Sequence, residues 1–216
     1  MNQFNNKNYS NRLFLSAILL LVSPVMFAQK VVESGVNSAG FSFNEKSSEP
    51  VIQYRQHIYM LAGIDDKPTL QIFADGRVVA HYPVYMKKAG DYEMQLDEAE
   101  LSNLISDLSN LGLIDFDNKK VNEKVSAHKR KLRDKGEFYE VSDSVATIVD
   151  IRLDEYQKNS KAKKIKNFKT QFKWKNLSHD ASRYKHEVEI VRANAAVKKL
   201  TYLMKDKRLV VRGRDK

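Results

Sequence analysis

The chain has 216 residues, no cysteine, and 37 Lys and Arg against 27 Asp and Glu, a formal net charge of +10. Without cysteine there is no disulfide framework, no thiolate metal centre, no cysteine nucleophile and no cysteine-linked lipid anchor of the bacterial lipoprotein kind. The charge is lopsided: residues 29–117 hold 7 basic and 14 acidic residues, net −7, while residues 118–216 hold 28 and 13, net +15.

Residues 1–28 have the pattern of a secretory signal peptide. Lys7 and Arg12 open the chain with no acid before Glu33, and Leu13 to Phe27 is an apolar run interrupted by Pro24. A positive start, a short apolar core and a small residue at the exit, here Ala28, are the features of an export signal. The run is 15 residues, short of the roughly 20 that a spanning helix needs. The expected location is therefore periplasmic or secreted, with no transmembrane helix once the signal is removed. Met26 at the −3 position departs from the usual small residue, so the cut site stays open.

Residues 29–50 are rich in Ser, Gly, Asn and Glu and are expected to be a flexible leader. From residue 51 a single domain is expected to run to about 206. Ile52, Tyr54, Ile58 and Met60 alternate with Gln53, Arg55 and His57, the period of a half-buried strand, which the segment from Gly63 to Pro68 closes. Thr69–Ala74 and Arg77–Pro83 flank Asp75-Gly76, the dipeptide favoured by a type I′ hairpin turn, which would set Ile72 opposite Val79 and Phe73 opposite Val78. A turn at Lys87–Gly90 leads into a strand over Asp91–Leu96, with Tyr92, Met94 and Leu96 inward.

A helix is expected over about 98–111. Asp97 and Glu100 form a capping box, Leu96 and Leu101 a hydrophobic staple, and Leu101, Leu104, Ile105, Leu108 and Leu111 an apolar stripe. Gly112 supplies the left-handed stop and Leu113 its apolar contact. Residues 118–143 are polar and strongly basic around Lys129, Arg130, Lys131 and Arg133, without a firm period, and suggest an inserted loop with at most a helical turn. Strand alternation returns at Val145, Thr147, Val149, Ile151 and Leu153. A Lys-rich turn containing Lys163 and Lys164 leads to a second arm, where Phe168, Thr170, Phe172 and Trp174 share one face and Lys169, Gln171, Lys173 and Lys175 the other. Residues 176–183 resemble a loop. A final helix is expected near 187–206 from Ile190, Ala193, Val197, Leu200 and Met204, and the basic tail 207–216 is expected to fray. The resulting fold class is α+β: an antiparallel sheet of about five to six strands with two helices on one face.

Few residues point to catalysis. Ser178-His179-Asp180 has the letters of a hydrolase triad, but consecutive side chains diverge whereas a triad converges from separate elements. A capping role for the Asp or Ser is the simpler expectation. His57 and His81 could face each other from neighbouring strands, but no further metal ligands are specified. No cofactor motif is present. A histidine-based, envelope-acting hydrolase using His57, His81 or His179 remains the enzymatic alternative, and a subunit of a larger envelope complex a second one.

The run TLQIFADGRVVAHY, then Gly90, then YEMQLDEAELSNLISDLSNLGLIDF resembles a group of small exported bacterial domains of unknown function, over about residues 69–116. That resemblance implies an α+β fold with an antiparallel sheet and brings no known site. The function expected from the charge split and the export pattern is non-enzymatic binding of an anionic partner. Anionic lipid, lipopolysaccharide, cell-wall polymer or a protein are the partners such a location offers, rather than nucleic acid. The candidate contacts are Lys129, Arg130, Lys131, Arg133, Lys163, Lys164, Lys169, Lys173 and Lys175.

Overall fold

The computed structural model describes residues 40–44, 47–58, 67–137 and 144–213. The signal segment, most of the leader, Met60, the turn residues 63–66 and the last part of the basic stretch, 138–143, lie outside the described residues. The strands are β1 (Gly40–Ser42), β2 (Ile52–Ile58), β3 (Leu70–Ile72), β4 (Arg77–Tyr82), β5 (Gly90–Gln95), β6 (Val145–Gln157), β7 (Ile165–Lys175) and β8 (Val210–Val211). The helices are α1 (Glu98–Asn110), α2 (Asn118–Asp134), α3 (Leu177–Arg183) and α4 (Val188–Leu203).

The expected α+β class is what folds, with eight strands and four helices among the described residues. All strand pairs are antiparallel. Across the sheet the order is β7-β6-β2-β3-β4-β5-β8, with β1 pairing the far end of β6 beyond β2. Ile52, Tyr54, Leu70, Ile72, Val78, Val149, Ile151 and Phe172 bury one face of this sheet, and each helix adds residues to the same core. The two extra strands are short end pieces whose signal is small. In β1, Phe41 reaches the core and stacks on Phe43 at 6.4 Å. In β8, Val211 faces Tyr92, and Arg208 anchors the approach by bonding Asp206 at 2.9 Å and Glu100 at 3.0 Å. The expected frayed tail is therefore folded through Val211. Its guanidinium holds the carboxyls of Asp206 and Glu100 below their usual range.

Helix α1 follows the sequence closely because its signals are local. Asp97 Oδ1 accepts from the Glu100 amide at 2.7 Å, and the Glu100 carboxylate accepts from the Asp97 amide at 3.0 Å. At the other end the Leu113 amide reaches Leu108 O at 2.9 Å and the Gly112 amide reaches Ser109 O at 2.8 Å, a Schellman stop with Gly112 at φ 74°.

The first hairpin differs from expectation by one residue of register: Ile72 pairs with Val78 and Leu70 with Ala80. The turn is three residues long. The Gly76 amide bonds Phe73 O at 3.0 Å, the Phe73 amide bonds Arg77 O at 2.9 Å, and Gly76 sits at φ 84°. This is a type I turn followed by a left-handed glycine bulge, the second motif that an Asp-Gly pair serves. It brings all four paired aliphatics onto the buried face. A side chain at Gly76 would also collide with the Leu96 carbonyl oxygen. Gly76→Ala is accordingly expected to destabilise the fold by about 2 kcal/mol or more in urea unfolding, from left-handed strain plus that collision; a change under about 0.5 kcal/mol would contradict this reading of the turn.

Tyr156 gives a pH-dependent term. Its ring is 1% exposed and its hydroxyl donates to Asp115 Oδ2 at 2.8 Å while sharing a 3.1 Å bond with Ser109 Oγ. Burial, reinforced by the Asp115 carboxylate, pushes its pKa up from 10.0 to about 12. An acid whose folded pKa is raised is neutral in both states at lower pH and ionises first in the unfolded chain. The Tyr156 contribution to stability is therefore expected to be constant below pH 10 and to fall as pH rises from 10 toward 12. Tyr156→Phe should flatten that fall in a pH series of unfolding curves, and an unchanged slope would contradict it.

Candidate anion-binding site

Among the described residues strand β7 is a sheet edge, bonded to β6 on one side only. An edge strand exposes unpaired amides and carbonyls, and charged side chains and covering groups keep it from pairing with other chains. Both devices are present. Phe172 and Trp174 are buried, while Lys169, Lys173 and Lys175 on the alternate positions are exposed, as their parity requires. Asn118, the first residue of α2, docks on the open edge: its side-chain amide donates to Gln171 O at 2.8 Å and accepts from the Lys173 amide at 2.9 Å. One side chain thus stands in for a strand residue.

Helix α2 occupies the region expected to be a loop. Asp117 caps it by accepting from the Lys120 amide at 2.9 Å. Val121, Val125 and Leu132 then recur at helical spacing, the two valines buried and Leu132 packed against the core. That stripe is one residue wide, and the remaining turns are filled by polar and basic residues, which hides the period. Lys119, Lys120, Arg130, Lys131 and Arg133 are exposed on its solvent side. Phe116, just before the cap, packs edge-on against Phe172 at 4.8 Å and Trp174 at 6.0 Å, fixing where the helix starts.

A second tie joins the basic half of α2 to the end of β7. Asp180, 3% exposed, accepts through Oδ2 from the Trp174 indole N–H at 2.9 Å and from Lys129 Nζ at 3.3 Å. Lys129 also lies 5.6 Å over the Tyr184 ring. Asp180 is inside α3 and not a cap, since α3 replaces the expected loop and its buried Leu177 and Ala181 hold it on the core. With Ser178 exposed and His179 Nδ1 3.4 Å from Asp180 Oδ1, the three residues fan around one helix and do not converge as a triad.

The two basic runs thus lie along one flank, the β7 edge of the sheet, with the α2 run tied on the Trp174 side and Lys169, Lys173 and Lys175 projecting from the opposite face. Lys129, Arg130, Lys131 and Arg133 are on the second half of α2, and Lys169, Lys173 and Lys175 on β7. Lys163 and Lys164 are not part of this flank. They sit in the turn before β7, roughly 35 Å of strand from Lys175 at about 3.3 Å per residue. Lys164 is paired with Glu155 at 2.8 Å, which holds that carboxyl below its usual range.

Elsewhere the two oppositely charged halves meet directly. Arg152 pairs with Glu49, Lys158 with Asp115, Lys199 with Asp107, Arg208 with Glu100 and Arg212 with Glu93. On the outer sheet face Asp150 takes Arg55 at 3.2 Å and the Gln171 amide at 2.7 Å. Near the start of α2, Lys124 holds Glu189 at 2.6 Å and keeps its carboxyl low. Most of these contacts neutralise cations away from the flank, while on α2 itself Lys124 is paired with Glu189 and Lys129 with Asp180. Arg130, Lys131, Arg133, Lys169 and Lys173 make no ion pair among the described residues.

The histidines distribute differently from the expected pair. Strand β3 lies between the strands of His57 and His81, so the two are not neighbours across a ladder. His81 is buried against Asp91, Nδ1 to Oδ1 2.5 Å. His128 and His186 form a 3.1 Å ring-nitrogen contact between α2 and the loop before α4, a juxtaposition the sequence did not announce. Among the described residues no group of three His, Asp or Glu is placed to hold a metal ion, and no helix is long and apolar enough to cross a membrane.

Sequence reasoning missed Asn118, and gave Asp180 a capping role in place of its tie to Trp174 and Lys129. Asp117-Asn118 before Val121 and Val125 was the available signal for the first; the second depends on a contact between distant segments. Compared with known proteins, the chain matches no family model, no curated protein and no solved structure.

Proposed function

We propose that this is an exported, non-enzymatic protein that binds an anionic surface through the basic flank formed by α2 and β7. The observation that carries the reading is the double tie, Asn118 to the β7 edge and Asp180 to Lys129 and Trp174. It joins two distant basic segments at one sheet edge, where Arg130, Lys131, Arg133, Lys169 and Lys173 make no ion pair among the described residues. Each basic residue near an anionic membrane surface adds about 1 kcal/mol, so about five acting together suffice for sub-millimolar association. The export pattern of residues 1–28 and the resemblance over 69–116 support a periplasmic or secreted location, where lipid headgroups, lipopolysaccharide and cell-wall polymer supply the negative charge.

Co-sedimentation of the purified protein with phosphatidylglycerol vesicles, lipopolysaccharide or peptidoglycan at stepped salt tests this. Binding to at least one, weakening as salt screens the charges, is expected. No binding to any of them at low ionic strength overturns the proposal.

A further inference from the structure

The turn between β4 and β5 carries an exposed apolar tip. Val84 is 87% exposed, Tyr85 62% and Met86 48%, and Lys87 and Lys88 follow directly, both exposed. Three consecutive bulky apolar residues in water are unfavourable unless they serve contact. The tip is built firmly. The Met86 amide bonds Pro83 O at 2.9 Å, the Ala89 amide bonds Met86 O at 3.1 Å, and Tyr82 pairs with Gly90 at its base. Below it the Tyr82 hydroxyl donates to Met204 O, and the Tyr82 ring packs edge-on against Tyr92 at 5.3 Å.

Its place in the sheet connects it to the basic flank. One row of the ladder runs Ala80, Leu70, Tyr54, Val149, Phe172. Two residues further along the same direction lie Tyr82 on β4 and Trp174 on β7, followed by Pro83 and Lys175. The tip and the last residues of β7 therefore share one end of the sheet, four strand spacings apart, or about 19 Å. A flat anionic layer reaches both together.

We infer that this end of the sheet docks on an anionic lipid bilayer, with Val84, Tyr85 and Met86 inserting among the headgroups while Lys87 and Lys88 meet lipid phosphates. The chemistry favours a bilayer over a peptide or polysaccharide. A convex tip encloses no groove, aliphatic side chains gain nothing from a hydrated polymer, and tyrosine and lysine are the residues that sit at the headgroup level. The inference rests on the proposed function for its electrostatic part and adds insertion to it.

The full protein carrying Tyr85→Trp tests it with vesicles of phosphatidylglycerol and phosphatidylcholine, some containing brominated acyl chains. Trp174, the sole native tryptophan, is 6% exposed and supplies a constant background. A blue-shifted, bromine-quenched emission from Trp at position 85 on binding is expected. Substituting Val84, Tyr85 and Met86 all by Ser should weaken vesicle binding about 30-fold in high salt, where insertion dominates, with little change in the far-ultraviolet spectrum. A vesicle-bound protein whose position-85 emission stays as in water overturns insertion and leaves the basic flank as the contact. Binding to lipopolysaccharide or peptidoglycan but to no vesicle also overturns it while keeping the proposed function. Absence of binding to all three overturns both.

Discussion

Asp180→Ala is expected to lower the unfolding free energy by about 3 kcal/mol, among the largest losses for a polar substitution in this chain. The carboxylate is 3% exposed and its Oδ2 serves two donors, the Trp174 indole at 2.9 Å and Lys129 Nζ at 3.3 Å. Truncation leaves the indole N–H without an acceptor beside a ring that is 6% exposed, which costs about 1–3 kcal/mol, and adds a small cavity. The Lys129 side chain is half exposed, so its ammonium returns to water at little loss. Asp180→Asn keeps an oxygen for the indole and should lose less than half as much. In urea unfolding, Asp180→Ala should couple more strongly to Trp174→Phe than to Lys129→Met. A loss below about 1 kcal/mol for Asp180→Ala would mean that the tie between α2 and β7 is not held by this carboxylate.

Reversing four cations of the flank, Arg130, Arg133, Lys169 and Lys173 to Glu, is expected to weaken binding to anionic vesicles by at least about 100-fold at low salt. Removing four basic contacts at about 1 kcal/mol each accounts for more than that, and the introduced acids repel. All four side chains are exposed and make no ion pair among the described residues, so the fold should be retained. The matched control reverses Lys161, Lys163, Arg192 and Lys198, exposed residues at the far hairpin turn and on α4. It changes net charge equally and should weaken binding less than about 10-fold. Equal losses in the two variants would reduce the account to overall charge with no site.

What the sequence made legible was what short segments decide. The Asp97 and Glu100 box, the leucine stripe and the Gly112-Leu113 stop lie within one helix, and α1 matches them at both ends. The parity of Phe172 and Trp174 against Lys169 and Lys173 likewise survives folding unchanged. The hairpin register slipped because Asp75-Gly76 suits two turn types, and the contact that discriminates, Gly76 beneath Leu96, spans 20 residues. Helix α2 was hidden by a stripe of Val121, Val125 and Leu132 diluted among seven Lys and Arg. The site itself was half visible. Which lysines face outward follows from strand alternation, but their union with α2 is made by Asn118 and Asp180, whose partners are 53 and 51 residues away.

The central claim is that the cations on one flank, and not the charge of the chain as a whole, contact the anionic partner. Amine-reactive labelling of the full protein, read by mass spectrometry with and without saturating phosphatidylglycerol vesicles, tests it at each lysine. Lys131, Lys169 and Lys173 should be protected from labelling, whereas Lys161, Lys163 and Lys198 should react as they do free in solution. Uniform protection, or protection centred on the hairpin turn or α4, would contradict the account.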